Sequence, residues 1–200
     1  HNFLYQNGPA SILVGGSAGF SLQKHPLSNC GSQVELFAWG RDVVTTNYTD
    51  QFAPANQEAA IFWDPALVDA HFSPQANALL EQYYATNFSG TSSAAAIIAG
   101  VAGLMQNYVK TETGRVAAYL MPEKVREILI ASGTPQEGND CNIGVQPDAE
   151  RALQLTQQFL QSVAQRYPEY VNRQELSLED IRSLRADGLG LICETKVAMP

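Results

Sequence analysis

Ser92 is the residue in this chain best placed to do chemistry. It stands in Ser89-Gly90-Thr91-Ser92-Ser93, a tight polar turn, and an unbroken run of small and aliphatic residues follows from Ala94 to Met105. The glycine makes the turn, and the run after it predicts a helix that starts at the serine. The first amides of a helix have no partner inside it, and the helix dipole makes that end positive. A serine there can act as a nucleophile, and its own N–H can donate to the oxyanion that forms on attack. Gly-Thr-Ser before an apolar helix is also an ordinary N-cap. The longer pattern favours chemistry, because small residues recur at 94, 95, 96, 99, 100, 102 and 103. Such a helix predicts close approach of neighbouring elements and burial between a sheet and an outer layer.

The elements that position Ser92 are legible on either side. Ser11–Gly15 is a short apolar run closed by Gly15-Gly16 and predicts a buried parallel strand. Gln33–Gly40 alternates before its glycine and predicts a second strand, and Asp42–Thr46 a third, rich in β-branched residues. Residues 51–86 carry Ala53-Pro54, Asp64-Pro65 and Ser73-Pro74 and have little strand character. They read as an insertion that re-enters beside Ser92, either as a wall of the cleft or as a surface elaboration. Beyond the long helix, Pro122–Ser132 predicts an amphipathic helix opened by proline, and Ala149–Gln161 another. Ser177 and Asp180 form a capping-box-like start to a further helix.

Together these pieces closely resemble subtilisin-like serine peptidases. Gly90-Thr91-Ser92 and the following residues match the family's active-serine motif. Ser92 falls on the nucleophile, Gly90 and Thr91 on the supporting turn and Gly100 on the helix glycine. Ala96 stands where the family usually has proline, a first-turns position that tolerates rather than requires it. Ile12–Gly15, Ser28-Asn29-Cys30-Gly31, Val34–Gly40 and Val43–Thr46 match the stretch before the serine in order as well as content, and Pro122, Val125, Arg126 and Leu129 match a later helix. The resemblance implies an α/β fold: a subtilisin-like parallel sheet flanked by helices, here a partial domain over residues 1–161. Residues 162–200 read as a mostly helical C-terminal extension. It implies a serine endopeptidase working through an acyl-enzyme, secreted or extracytoplasmic, acting on peptide or protein substrates. No cofactor is expected. Subtilases often bind calcium, but no residue here is assigned to a metal.

The family also needs an aspartate, a histidine and an oxyanion asparagine, in that order before the serine. The histidines are His1, His25 and His71, and none sits in the family's His-Gly-Thr motif. Asn2 and Asn7 lack the preceding Ala-Ala-Gly of the family's asparagine. The expectation is that a preceding segment or chain supplies all three groups. The alternative is a non-catalytic binding or scaffold module of the same fold.

Composition narrows the rest. The 200 residues are 45% hydrophobic with a net charge of −8, which suits one core and argues against nucleic acid as a partner. No apolar run reaches membrane-spanning length. Cys30, Cys141 and Cys193 leave open one disulfide with a free thiol, or three thiols. If a bridge forms, Cys141–Cys193 is favoured, because it ties the tail to the domain. Asn47-Tyr48-Thr49 and Asn87-Phe88-Ser89 fit the glycan-acceptor pattern. A glycan on Asn87 is discounted, since it would block the cleft at Ser92.

Overall fold

The structure is a computed structural model. It describes residues 11–46, 84–138, 141–168, 170 and 176–191. Nearly all of the 51–86 insertion therefore lies outside the described residues, as do His1, His71, Asn2, Asn7, Asn47 and Cys193.

The described chain is mixed α/β, with a parallel-rich sheet flanked by helices. The elements in order are β1 (Leu13–Ser17), β2 (Val34–Trp39), β3 (Val43–Thr46), β4 (Tyr84–Phe88), α1 (Thr91–Thr113), β5 (Ala118–Leu120), α2 (Pro122–Ser132), β6 (Thr134–Pro135), β7 (Val145–Gln146), α3 (Ala149–Arg166), α4 (Leu178–Ala186) and β8 (Leu189–Leu191). The chain divides into two compact units. One comprises His1–Leu13, Ile98–Pro135 and Val145–Pro200, the other Val14–Ile97 and Gln136–Gly144. α1 begins in the second and runs on into the first.

The second unit holds β1 to β4. β1 and β2 are sheet neighbours, and β3 pairs antiparallel with β4 through Val43–Phe88 and Thr45–Ala85. Its core is Val34, Leu36, Phe37, Ala38, Ala94 and Ile143. β1 starts and ends two residues later than the sequence predicts. Gly15-Gly16 looked like a stop, yet both glycines lie inside the strand. The reason is a close approach: a Cβ on Gly40 would sit 2.8 Å from the Gly16 Cα. The backbones touch there, and only glycine at both positions allows it.

The first unit holds the other helices. α2 opens on Pro122 and buries Val125, Ile128 and Leu129 on one face, where it packs on α3. Asp148 caps α3 by accepting from the Arg151 N–H at 2.8 Å. Ser177 and Asp180 form the anticipated capping box on α4. β8 then pairs antiparallel with β5, Tyr119 opposite Gly190. The Gln106 amide clasps β5 to α1: its nitrogen donates to the Leu120 carbonyl at 3.0 Å, and its oxygen accepts from the Leu120 N–H at 2.9 Å. Asp187, after α4, accepts from the Tyr167 hydroxyl and from Arg166, both at 2.7 Å. These two bonds, the tyrosine's first, hold the carboxyl below the usual carboxylate range.

One expectation about α1 needs correction. The helix is not enclosed. Ala94, Ile98, Met105 and Val109 are buried along one stripe, while Ala95, Ala96, Ala99, Gly100, Gly103 and Leu104 are exposed. The small residues predicted close approach of neighbouring elements and burial between a sheet and an outer layer. Here a Cβ added at Gly100 or Gly103 would meet nothing within 4 Å, so no described residue occupies that side.

Candidate active site at the start of the long helix

The N-terminus of α1 is placed by a relay of backbone hydrogen bonds from the ends of two strands. The Gly40 N–H donates to the Ser17 carbonyl at 3.0 Å, and the Gly90 N–H donates to the Gly40 carbonyl at 2.8 Å. β1 thus fixes the end of β2, and the end of β2 fixes the turn before the helix. Ser93 closes the relay. It is buried, and its hydroxyl hydrogen is shared between the carbonyls of Gly90 (2.7 Å) and Trp39 (3.1 Å). Sequence reasoning gave Ser93 no task, because one of its two acceptors, the Trp39 carbonyl, lies 54 residues away in the chain. Its task is to pin the first turn to the sheet.

Gly90, Thr91 and Ser92 all come together here. Gly90 has φ +137°, and a Cβ on it would lie 3.1 Å from the Ser92 Oγ. Glycine is needed twice over: for the backbone angle and for the space the hydroxyl uses. Gly90→Ala is therefore expected to cost about 1–3 kcal/mol in stability and to displace the Ser92 hydroxyl. Displacements of that size cost about 100-fold in turnover where a hydroxyl reacts. Urea unfolding and steady-state hydrolysis measure the two separately.

Ser92 itself is exposed. The first turn of α1 carries no acidic side chain, so the positive helix end stays unneutralised. Beside it lies a cavity of about 260 Å³, lined by Ser89, Gly90 and Thr91 and by His25, Leu27 and Ser28. Sequence reasoning named the first group as the neighbourhood of the serine but missed the second. The only available signal was the Ser28-Asn29-Cys30-Gly31 turn.

That second wall is held rigidly. The His25 N–H donates to the Gly16 carbonyl at 2.9 Å, and the Gly16 N–H to the Ser28 Oγ at 2.8 Å. The His25 Nδ1 accepts from the Leu27 N–H at 3.2 Å. A neutral imidazole in that arrangement carries its proton on Nε2.

Cys30 anchors the far end of the same loop through a disulfide to Cys141, with the Cα atoms 5.6 Å apart. This corrects the favoured Cys141–Cys193 pairing. The Gly31 N–H donates to the Asn142 carbonyl at 2.7 Å, and the Asn142 side-chain amide donates to the carbonyls of Gly31 and Val34. Those bonds bring two loops together across a sequence separation of 111, which no local pattern reveals. A loop that long makes the bridge worth about 2–5 kcal/mol. Cys30→Ser with Cys141→Ser, or reduction of the native protein, should lower the urea midpoint accordingly. An unchanged midpoint would mean the bridge is not formed in solution.

Among the described residues no group of three or more His, Cys, Asp and Glu is placed to hold a metal ion, and no helix is long and apolar enough to cross a membrane.

Comparison with known proteins adds the family. A search of curated proteins gives no match. The Subtilase family model matches residues 13–156, well over half of the chain and the whole of the relay from β1 to the start of α1. The chain therefore belongs to the subtilase family, the subtilisin-like serine peptidases.

Proposed function

We propose that this chain carries the nucleophile of a subtilisin-type serine endopeptidase. Ser92 Oγ attacks the scissile carbonyl, and its proton passes to a histidine base. The carbonyl oxygen becomes an anion stabilised by the Ser92 N–H. The leaving amine takes the proton and departs, and water then hydrolyses the acyl-enzyme. The observation that carries this reading is the exposure of Ser92 at a helix N-terminus whose first turn carries no acidic side chain, with a cavity beside it. Membership of the family supports it.

The aspartate, the histidine and the oxyanion asparagine come, on this reading, from a preceding segment or chain. Two observations support that. The exposed stripe of α1, from Ala95 to Leu104, is apolar and small, which suits a partner that packs closely. β1 is the outer strand of its sheet among the described residues; Gly16 on its edge already bonds His25 and Ser28, and the part of the edge before Gly16 is where another strand could add. A disulfide in the fold supports a secreted or extracytoplasmic setting.

The test is covalent. A fluorophosphonate probe applied to the full-length protein should label Ser92 and stop casein hydrolysis in step with labelling. A label on another serine would overturn the assignment. A folded protein that takes no label would favour the non-catalytic binding module.

A further inference from the structure

We propose that the cavity beside Ser92 receives one side chain of the peptide substrate, and that His25 makes it select a carboxamide, glutamine ahead of asparagine. The proposal rests on the peptidase reading of Ser92. At about 260 Å³ the cavity is smaller than sites for drug-sized ligands, which start at about 300 Å³, and it has room for a side chain.

The lining chooses the chemistry. It contains no Lys, Arg, Asp or Glu. A carboxylate entering it would give up its water without meeting a lysine or arginine, which is unfavourable. An apolar side chain would strip the water from the one ring donor in the wall and return no hydrogen bond, also unfavourable. That donor is the Nε2–H of His25, because Nδ1 is already accepting from the Leu27 N–H. An amide oxygen satisfies it without carrying charge into the cavity.

Length is chosen by Leu27. Its side chain is 88% exposed while also lining the cavity, so it offers aliphatic surface at the mouth. The two methylenes of glutamine cover that surface better than the single methylene of asparagine. The wall is pre-set for this, since the backbone of His25 is bonded to Gly16 and Ser28, and Cys30 is bridged to Cys141. Little ordering cost falls on binding.

The experiment is a peptide-library digest by the full-length protein, with cut sites read by mass spectrometry. Matched peptides carrying Gln, Met or Glu at the enriched position follow. Glutamine should be enriched at one position flanking the cut. Gln should exceed Met, which has the same length and no strong acceptor, by about 3- to 10-fold in kcat/KM, the worth of one neutral hydrogen bond. The difference should lie mainly in KM. His25→Phe keeps a ring without the donor and should erase the preference, whereas His25→Gln should retain most of it. A wild-type profile without glutamine enrichment overturns the proposal, as does a preference that survives His25→Phe. Fluorophosphonate labelling on the same samples separates the two readings. Label on Ser92 with no glutamine preference overturns this inference alone, and absence of the label overturns both.

Discussion

Ser92→Ala is expected to remove about four to six orders of magnitude from peptide hydrolysis and to abolish fluorophosphonate labelling. The size follows from what the hydroxyl does. With Oγ gone there is no acyl-enzyme, and the remaining amides at the helix start can only polarise a carbonyl for direct attack by water. The fold should be unaffected. Ser92 is exposed, while the hydroxyl that pins the helix to the sheet belongs to Ser93. The two serines therefore separate cleanly. Ser92→Ala should leave the urea midpoint unchanged and eliminate activity. Ser93→Ala should lower the unfolding free energy by about 0.5–1.5 kcal/mol, one buried hydrogen bond, and affect activity only through the position of the turn. Labelling that survives Ser92→Ala would direct attention to another serine.

What could be read from the sequence was what short-range chemistry dictates. Pro122 opened α2 and Ser132 closed it as the spacing of Val125, Ile128 and Leu129 implied, and Ser177 with Asp180 declared the start of α4. The beginning of α1 followed from Gly90-Thr91-Ser92. What escaped was every feature made by residues far apart in the chain. Gly16 seemed to end β1 because its reason for being glycine, the backbone of Gly40, lies on another strand. Cys30 was unpaired on paper because Cys141 reaches it only through the folded loops around Asn142. His25 was weighed only as a base. Its place in the cavity wall depends on a turn bonded back onto β1. The exposed side of α1 had the opposite cause. Its composition was read as evidence of neighbours, but composition records what a helix can accept and not which described residues lie against it.

Residues 1–200 alone are expected to fold but not to turn over casein, with activity appearing when a segment carrying the aspartate, histidine and asparagine is supplied. The site's own geometry motivates this. A general base must present an unprotonated nitrogen to the serine hydroxyl. His25 is the one histidine among the described residues, and its Nδ1 is occupied by the Leu27 N–H, leaving the proton on Nε2. Its Nδ1 cannot take the proton of Ser92 without giving up that backbone bond. Without a base the serine is a neutral alcohol and a poor nucleophile, so fluorophosphonate labelling of the isolated chain should be slower by orders of magnitude. The supplied segment should also protect the amides of β1 and of the first turns of α1 from hydrogen exchange, because those are the strand edge and the exposed apolar stripe it would cover. Turnover by the isolated chain that is lost in His25→Ala or His71→Ala would show that a base is present after all. Protection that appears elsewhere on the chain would separate the docking surface from α1 and leave the missing base to be sought on a different face.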